Sequence, residues 1–200
     1  MNFPNFLTLL RVILTPFFYH YFIQEDPSDK LIGIIIFFVA SFTDWYDGYY
    51  ARKHNIVTRI GQFLDPLADK ILVLTATVIF VQEGYTFLWI FIAIASRDVI
   101  VTLLRMFALY RNEPVITSGL AKWKTAIQML TLFLIMIQLL LDTYQINIPL
   151  ELTASYLSAY GMMWLVTAIL STYTCFAYLI ENRNHLVQVW RLILRLLKIH

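Results

Sequence analysis

From its N-terminus the chain runs as long apolar stretches separated by short polar joints. A helix needs ~20 mostly apolar residues to cross ~30 Å of hydrocarbon. Six stretches approach that length: residues 5–22, 31–50, 66–82, 87–110, 122–141 and 153–180. Inside each, apolar residues follow one another without the period-two alternation of a barrel strand, so helices are predicted. The expected fold is an all-α integral membrane protein with six transmembrane helices.

Composition points the same way. Hydrophobic residues make up 60% of the 200-residue chain and charged residues 14%, with mean hydropathy +0.68. Soluble domains lie nearer ~45–50% apolar and ~25% charged. This length suits one compact helical domain and leaves little chain for a soluble module. The single cysteine, Cys175, excludes an internal disulfide and reads as a small apolar helix residue. A net charge of +2 is too small to suggest nucleic acid as a partner. The N-terminal stretch lacks a basic leader and a small-residue cleavage site, so it is expected to be retained. No internal repeat or interdomain linker is apparent.

The placement of the charges matters more than their sum. Arg52, Lys53 and Arg59 fall in the 51–64 joint, and Arg111, Lys122 and Lys124 in the 111–124 joint. The tail carries Arg183, Arg191, Arg195 and Lys198. The alternate joints hold Glu25, Asp26, Asp29, Glu83, Asp142 and Glu151, with only Lys30 among the bases. The positive-inside rule then places both termini, and the aspartate-rich 44–69 region, on the cytoplasmic side of an inner membrane. In HLVQVWRLILRLLKIH the bases recur at helical spacing among apolar residues. That pattern suits a basic amphipathic helix on an anionic membrane surface, with a protein-contact helix as the alternative. The expected division is a six-helix membrane domain over 1–181 and a tail helix over 182–200. Tyr85, Phe87 and Trp89 suit an outer aromatic belt, and Trp45, Tyr46, Tyr49 and Tyr50 an inner one.

The chemistry concentrates in DWYDGYYARKHNIVTRIGQFLDPLAD. Asp44, Asp47, Gly48, Ala51 and Arg52 form one stripe on a helix. Gly61, Asp65 and Asp69, spaced by fours, form another. The short joint between them predicts antiparallel neighbours whose stripes face each other across a cytoplasm-facing cavity. Pro66 suits a first helical turn, so the third helix is expected to begin near Asp65. Four converging carboxylates cannot all stay ionised without compensation. Two divalent cations would neutralise them, and all-oxygen ligation suits Mg2+ or Mn2+. Neither histidine nor cysteine stands at these positions, which argues against zinc. Gly48, Ala51 and Gly61 leave room for a bulky group near the backbone, and Arg52 could hold a phosphate. Together the parts suggest a two-metal phosphoryl-transfer site. A single boundary aspartate reads as a solvated cap; four at these spacings favour a functional reading.

The pattern Asp44-x-x-Asp47-Gly48-x-x-Ala51-Arg52-x8-Gly61-x3-Asp65-x3-Asp69 resembles, at every fixed position, the signature of the CDP-alcohol phosphatidyltransferases. Three weaker runs resemble the branch of that family that uses glycerol 3-phosphate. They are NFPNFLTLLRVILTP, SRDVIVTLLR and SGLAKWKT. Asp98 stands where that branch more often has glutamate, and Ala121 where it has glycine. The resemblance implies transfer of a phosphatidyl group from CDP-diacylglycerol to glycerol 3-phosphate, giving phosphatidylglycerol phosphate and CMP. It implies that Asp44, Asp47 and Asp65 ligate one metal, and Asp44, Asp65 and Asp69 the other, with Asp69 as general base. Gly48, Ala51, Arg52, Thr58 and Gly61 match the region that holds the CDP group, with Asn5 and Thr8 as further contacts from the first helix. It also implies a homodimer.

A dianionic acceptor needs bases beyond Arg52. The candidates are Arg97, Arg105, Arg111, Lys122 and Lys124. Arg97 and Arg105 share roughly one helical face. Asp98 points ~100° away from Arg97, which makes a substrate phosphate a credible partner for it. A structural ion pair with another helix is the alternative for both arginines, and membrane anchoring is the alternative for both lysines. Arg11 fits either role. The scattered His20, His54, His185 and His200 are assigned no chemistry. The nearest rival activity uses serine, inositol phosphate or phosphatidylglycerol as acceptor. A divalent-cation transporter is more distant, because the acids sit at helix ends and not near mid-membrane. A catalytically dead scaffold would be expected to have lost signature positions, and none is lost.

Overall fold

The computed structural model describes residues 3–54, 59–111, 119–144, 146 and 155–183. Among them are six α-helices: α1 (Phe3–Phe22), α2 (Pro27–His54), α3 (Arg59–Gln82), α4 (Leu88–Tyr110), α5 (Gly119–Thr143) and α6 (Ala159–Glu181). α1 packs against both α2 and α3, while α6 packs against α4 and α5.

Local chemistry sets several of the helix ends. At the start of α2 the Asp26 carboxylate accepts the Ser28 N–H at 2.7 Å, and Pro27 occupies the first helical position, where its missing donor costs nothing. α3 closes in a Schellman turn. Gly84 adopts φ +76°, Tyr85 N–H donates to Phe80 C=O at 2.8 Å, and Gly84 N–H donates to Val81 C=O. Ser158 caps α6 by accepting the Gly161 N–H at 3.0 Å.

The apolar core lies toward one end of the bundle. Phe18 and Phe22 of α1 meet Phe37 of α2 and Phe80 of α3, with ring centroids 5.2 Å (Phe18–Phe37) and 6.1 Å (Phe22–Phe80) apart. Ile90, Ile94, Leu132, Ile135, Met136 and Trp164 extend it, all fully buried. α1 and α2 cross closely there: a Cβ on Gly33 would lie 2.9 Å from the Phe22 backbone nitrogen. Lys30 and Glu83 pair beside this apolar end, while the buried charges Arg11, Asp47, Asp98 and Lys124 lie outside the apolar cluster.

Two expectations are corrected. Among the described residues three helices, not six, are long and apolar enough to cross a membrane: Pro27–Tyr50, Gly119–Asp142 and Ala159–Glu181. The fold is all-α, multi-pass and membrane-associated. Counting apolar runs by length overlooked the charges inside the others: Arg11 in α1, Asp65, Asp69 and Lys70 in α3, and Arg97, Asp98 and Arg105 in α4. Placing both termini on one side assumed six crossings and falls with that count. Secondly, α3 begins at Arg59, so Pro66 lies inside the helix and not in its first turn. The expected interfacial helix lies outside the described residues, apart from Asn182 and Arg183.

Candidate functional site

α1 inserts a polar edge between the two aspartate-bearing helices. Arg11 is fully buried. Its Nη1 lies 2.6 Å from Asp44 Oδ1 as an ion pair, and its Nη2 donates to Asp47 Oδ2 at 2.7 Å. One guanidinium thus grips both carboxylates of the α2 stripe, as their i, i+3 spacing allows. A turn earlier, the Thr8 hydroxyl donates to Asp65 Oδ1 at 2.5 Å, which ties α1 to α3. The Thr15 hydroxyl caps the Arg11 carbonyl at 2.8 Å.

Beside this junction opens a cavity of about 770 Å³. Asp44, Asp65 and Asp69 supply acidic groups to its wall, and Lys70, Arg97, Arg105 and Lys122 supply basic ones. Val101, Thr102, Ala121, Thr125, Ala126 and Met129 fill the surface between the charges. Asp44 feels the fields of Asp69 and Asp65. The quartet is nevertheless divided. Asp47, 4% exposed, is not part of this wall and turns to Arg11. The α2 and α3 stripes therefore do not simply face each other, because α1 stands between them. Among the described residues, no three carboxylate, imidazole or thiol groups converge closely enough to hold a metal ion.

The basic side has a buried anchor. Asp98 is fully buried; its Oδ1 accepts from Arg97 Nη1 and Lys124 Nζ, both at 2.8 Å. Its Oδ2 accepts from Lys124 at 2.9 Å and Lys70 at 3.2 Å. Lys124 also donates to Gln128 Oε1 at 2.7 Å. Lys70 Nζ lies 3.9 Å from Asp69 and so touches both walls.

Arg97, Arg105 and Lys122 are brought together at the cavity. Arg97 has Asp98 as a partner in spite of their ~100° separation around the helix. A long, flexible arginine side chain bends back where Cβ directions alone predict divergence. Lys124 is fully buried and engaged by Asp98 and Gln128, behind the cavity lining. Arg111 caps the C-terminus of α4 through its backbone N–H and lies outside the cavity wall. Gly48 on α2, Gly61 on α3 and Asn5 on α1 also lie outside it. Ala51 and Arg52 belong to α2, but their side chains, like all of Thr58, lie outside the described residues.

Two residues carry more than their sequence positions suggested. Arg11 had a signal, since Asn5, Thr8, Arg11 and Thr15 make a polar stripe at helical spacing in an otherwise apolar helix. Lys70 had none, because nothing local links it to Asp98, 28 residues away.

Comparison with known proteins accords with this geometry. The family model described as CDP-alcohol phosphatidyltransferase matches residues 1–173. A Haemophilus influenzae protein named CDP-diacylglycerol–glycerol-3-phosphate 3-phosphatidyltransferase is 46% identical over 136 residues, covering 66% of this chain and 73% of its own. A Bacillus subtilis protein of the same name is 39% identical over 165 residues, 76% of this chain and 81% of its own. One from Shigella flexneri is 37% identical over 172 residues, 84% and 94% respectively.

Proposed function

We infer the activity from one premise, that this chain belongs to the CDP-alcohol phosphatidyltransferase family, and from one place, the cavity walled by both acids and bases. The chain transfers the phosphatidyl group of CDP-diacylglycerol to glycerol 3-phosphate. An acceptor hydroxyl attacks the lipid-side phosphorus. A new P–O bond forms, the bond to CMP breaks, and the hydroxyl proton passes to Asp69. Phosphatidylglycerol phosphate and CMP leave.

The observation that carries this reading is the pairing of opposite charges in one cavity. A dianionic acceptor phosphate suits Lys70, Arg97, Arg105 and Lys122. Its hydroxyl can then be presented to the acidic side, where Asp69 serves as general base, a contribution of roughly 10²–10⁴-fold. Lys124 supports the acceptor site from behind the cavity, and Arg111 is assigned to it from outside the cavity wall. The donor's CDP group is assigned to Asn5, Thr8, Gly48, Ala51, Arg52, Thr58 and Gly61. Deeper along α1 and α3, Thr15, Pro16, Tyr19, Ile71, Leu74, Thr75 and Val78 line a largely apolar groove of about 600 Å³. Its position beyond the Thr8–Asp65 contact suits an acyl chain of the donor.

The acidic donor set fits hard divalent cations. It is all oxygen, three of its carboxylates share one cavity, and Asp44 and Asp47 already accept a buried cationic group from Arg11. Holding two Mg2+ or Mn2+ ions, one by Asp44, Asp47 and Asp65 and the other by Asp44, Asp65 and Asp69, would require Asp47 to leave Arg11 and the carboxylates to draw closer together than they stand here. Bound there, the ions would offset charge on the pyrophosphate and on departing CMP.

Bases in the 51–64 and 111–124 joints favour a cytoplasmic mouth in the inner membrane, where glycerol 3-phosphate and CMP exchange with solvent. The family resemblance supports a homodimer. Residues 1–181 form the catalytic domain, with 182–200 as a membrane-surface tail.

The test is CMP release by the purified full chain in mixed micelles, with a panel of acceptor alcohols. Release should require glycerol 3-phosphate and a divalent ion, and EDTA should abolish it. Release with serine, inositol phosphate or phosphatidylglycerol but not glycerol 3-phosphate would overturn the acceptor assignment. Mg2+ flux in liposomes without any lipid product would overturn the enzyme reading.

A further inference from the structure

We propose that Asp98 is a positioning residue for the acceptor site, holding Lys70 and Arg97 in place on the cavity wall. The inference rests on the proposed reaction and deepens its acceptor side.

Asp98 has no exposed surface and is not itself one of the residues lining the cavity. Its two oxygens nevertheless organise three cations from three helices: Lys70 from α3, Arg97 from its own α4, and Lys124 from α5. The two carboxylate edges divide the work. One binds Arg97 and Lys124; the other binds Lys124 and Lys70. Lys124 is fully buried with Asp98 and Gln128, whereas Lys70 and Arg97 emerge into the cavity. The carboxylate is therefore a rear anchor for two front cations.

Charge balance says what those cations await. Three positive groups on one carboxylate leave an excess of positive charge, which Asp69, 3.9 Å from Lys70, offsets only in part. Uncompensated positive charge in a poorly solvated site is costly, and an anion relieves it. An acceptor phosphate would supply that negative charge. Arg97 also keeps an unused donor, since its buried Nε has no hydrogen-bond partner among the described residues.

Position matters most for Lys70. A lysine side chain is long and loses rotamer entropy when fixed. Its ammonium is 3.2 Å from Asp98 and 3.9 Å from Asp69. Without the Asp98 contact it would be drawn toward Asp69, blocking that carboxylate and leaving the phosphate subsite. Asp98 thus keeps the acidic and basic walls apart, a form of preorganisation.

The experiment compares wild type with Asp98→Asn, Asp98→Glu and the double variant Asp98→Asn/Lys124→Met in mixed micelles. Steady-state kinetics are measured for both substrates, and thermal unfolding for each protein. Wild-type CMP release with glycerol 3-phosphate tests the reaction itself; the variants test Asp98. Asp98→Asn should raise KM for glycerol 3-phosphate about tenfold or more, as expected for losing one charge-assisted hydrogen bond. KM for CDP-diacylglycerol should change less than about twofold, and Asp98→Glu should recover most of the acceptor affinity. The double variant removes the buried Asp98–Lys124 pair without stranding a lone ammonium. It should unfold near the wild-type temperature yet keep the raised acceptor KM. If it recovers wild-type acceptor KM, or if Asp98→Asn raises both KM values equally, the positioning role is overturned.

Discussion

Replacing Arg11 with methionine tests the junction on which the acidic side is built. The substitution keeps a long, mostly apolar side chain at a fully buried position and removes only the guanidinium. Two ion pairs are lost, and they are not equal. Asp44 is 42% exposed at its side chain, so water can take over its solvation, and that contact is worth ~0–1 kcal/mol. Asp47 is 5% exposed at its side chain and would keep a buried charge with no cation beside it. Removing one partner of a buried pair costs ~3–5 kcal/mol. Arg11 leaves its Nε unsatisfied in the native protein, which argues for the lower end, ~3 kcal/mol. For a chain of this length each kcal/mol moves the melting temperature by ~2–4 °C, so a fall of ~6–12 °C is expected. Thermal unfolding followed by circular dichroism in detergent measures it. Arg11→Met/Asp47→Asn, which removes the stranded charge, should recover more than half of the loss. A melting temperature for Arg11→Met within ~2 °C of wild type, or a double variant no more stable than the single one, would refute the reasoning.

Three further outcomes are expected. Asp69→Asn should lower turnover by roughly 10²–10⁴-fold with little change in melting temperature, and near-normal turnover would remove its role as base. Lys122→Met, at an exposed cavity position, should raise KM for glycerol 3-phosphate and leave the fold intact. Lys124→Met, at a fully buried one, should instead lower the melting temperature, and identical behaviour of the two would contradict their placement. Gly33→Ala pushes a methyl group onto the Phe22 backbone and should cost ~1–3 kcal/mol of stability, read from the same melting curves, without altering either KM.

Much of the molecule was legible from residue order alone. Six helices follow from six continuous apolar runs, with no strand among the described residues. The Asp44/Asp47 pairing on one helix face follows from a spacing of three, and the shared guanidinium bears it out. What failed was the step from apolar run to membrane crossing. Arg97, Asp98 and Arg105 interrupt α4, and Asp65, Asp69 and Lys70 interrupt α3, and length alone does not weigh them. The partner of Arg97 was also misjudged, because helix azimuth locates a Cβ and not the far end of a six-bond side chain.

The sequence by itself determined what is periodic or contiguous: helices, their apolar faces, and the signature with its family. Those depend on neighbours a few residues apart, which backbone geometry fixes in advance. Only the tertiary structure decided that α1 would stand between the two aspartate helices, that Asp47 would turn to Arg11, and that Lys70 and Lys124 would meet over Asp98. Contacts across 26 to 36 residues leave no local pattern, since they are selected by how buried charges find compensation once the helices pack.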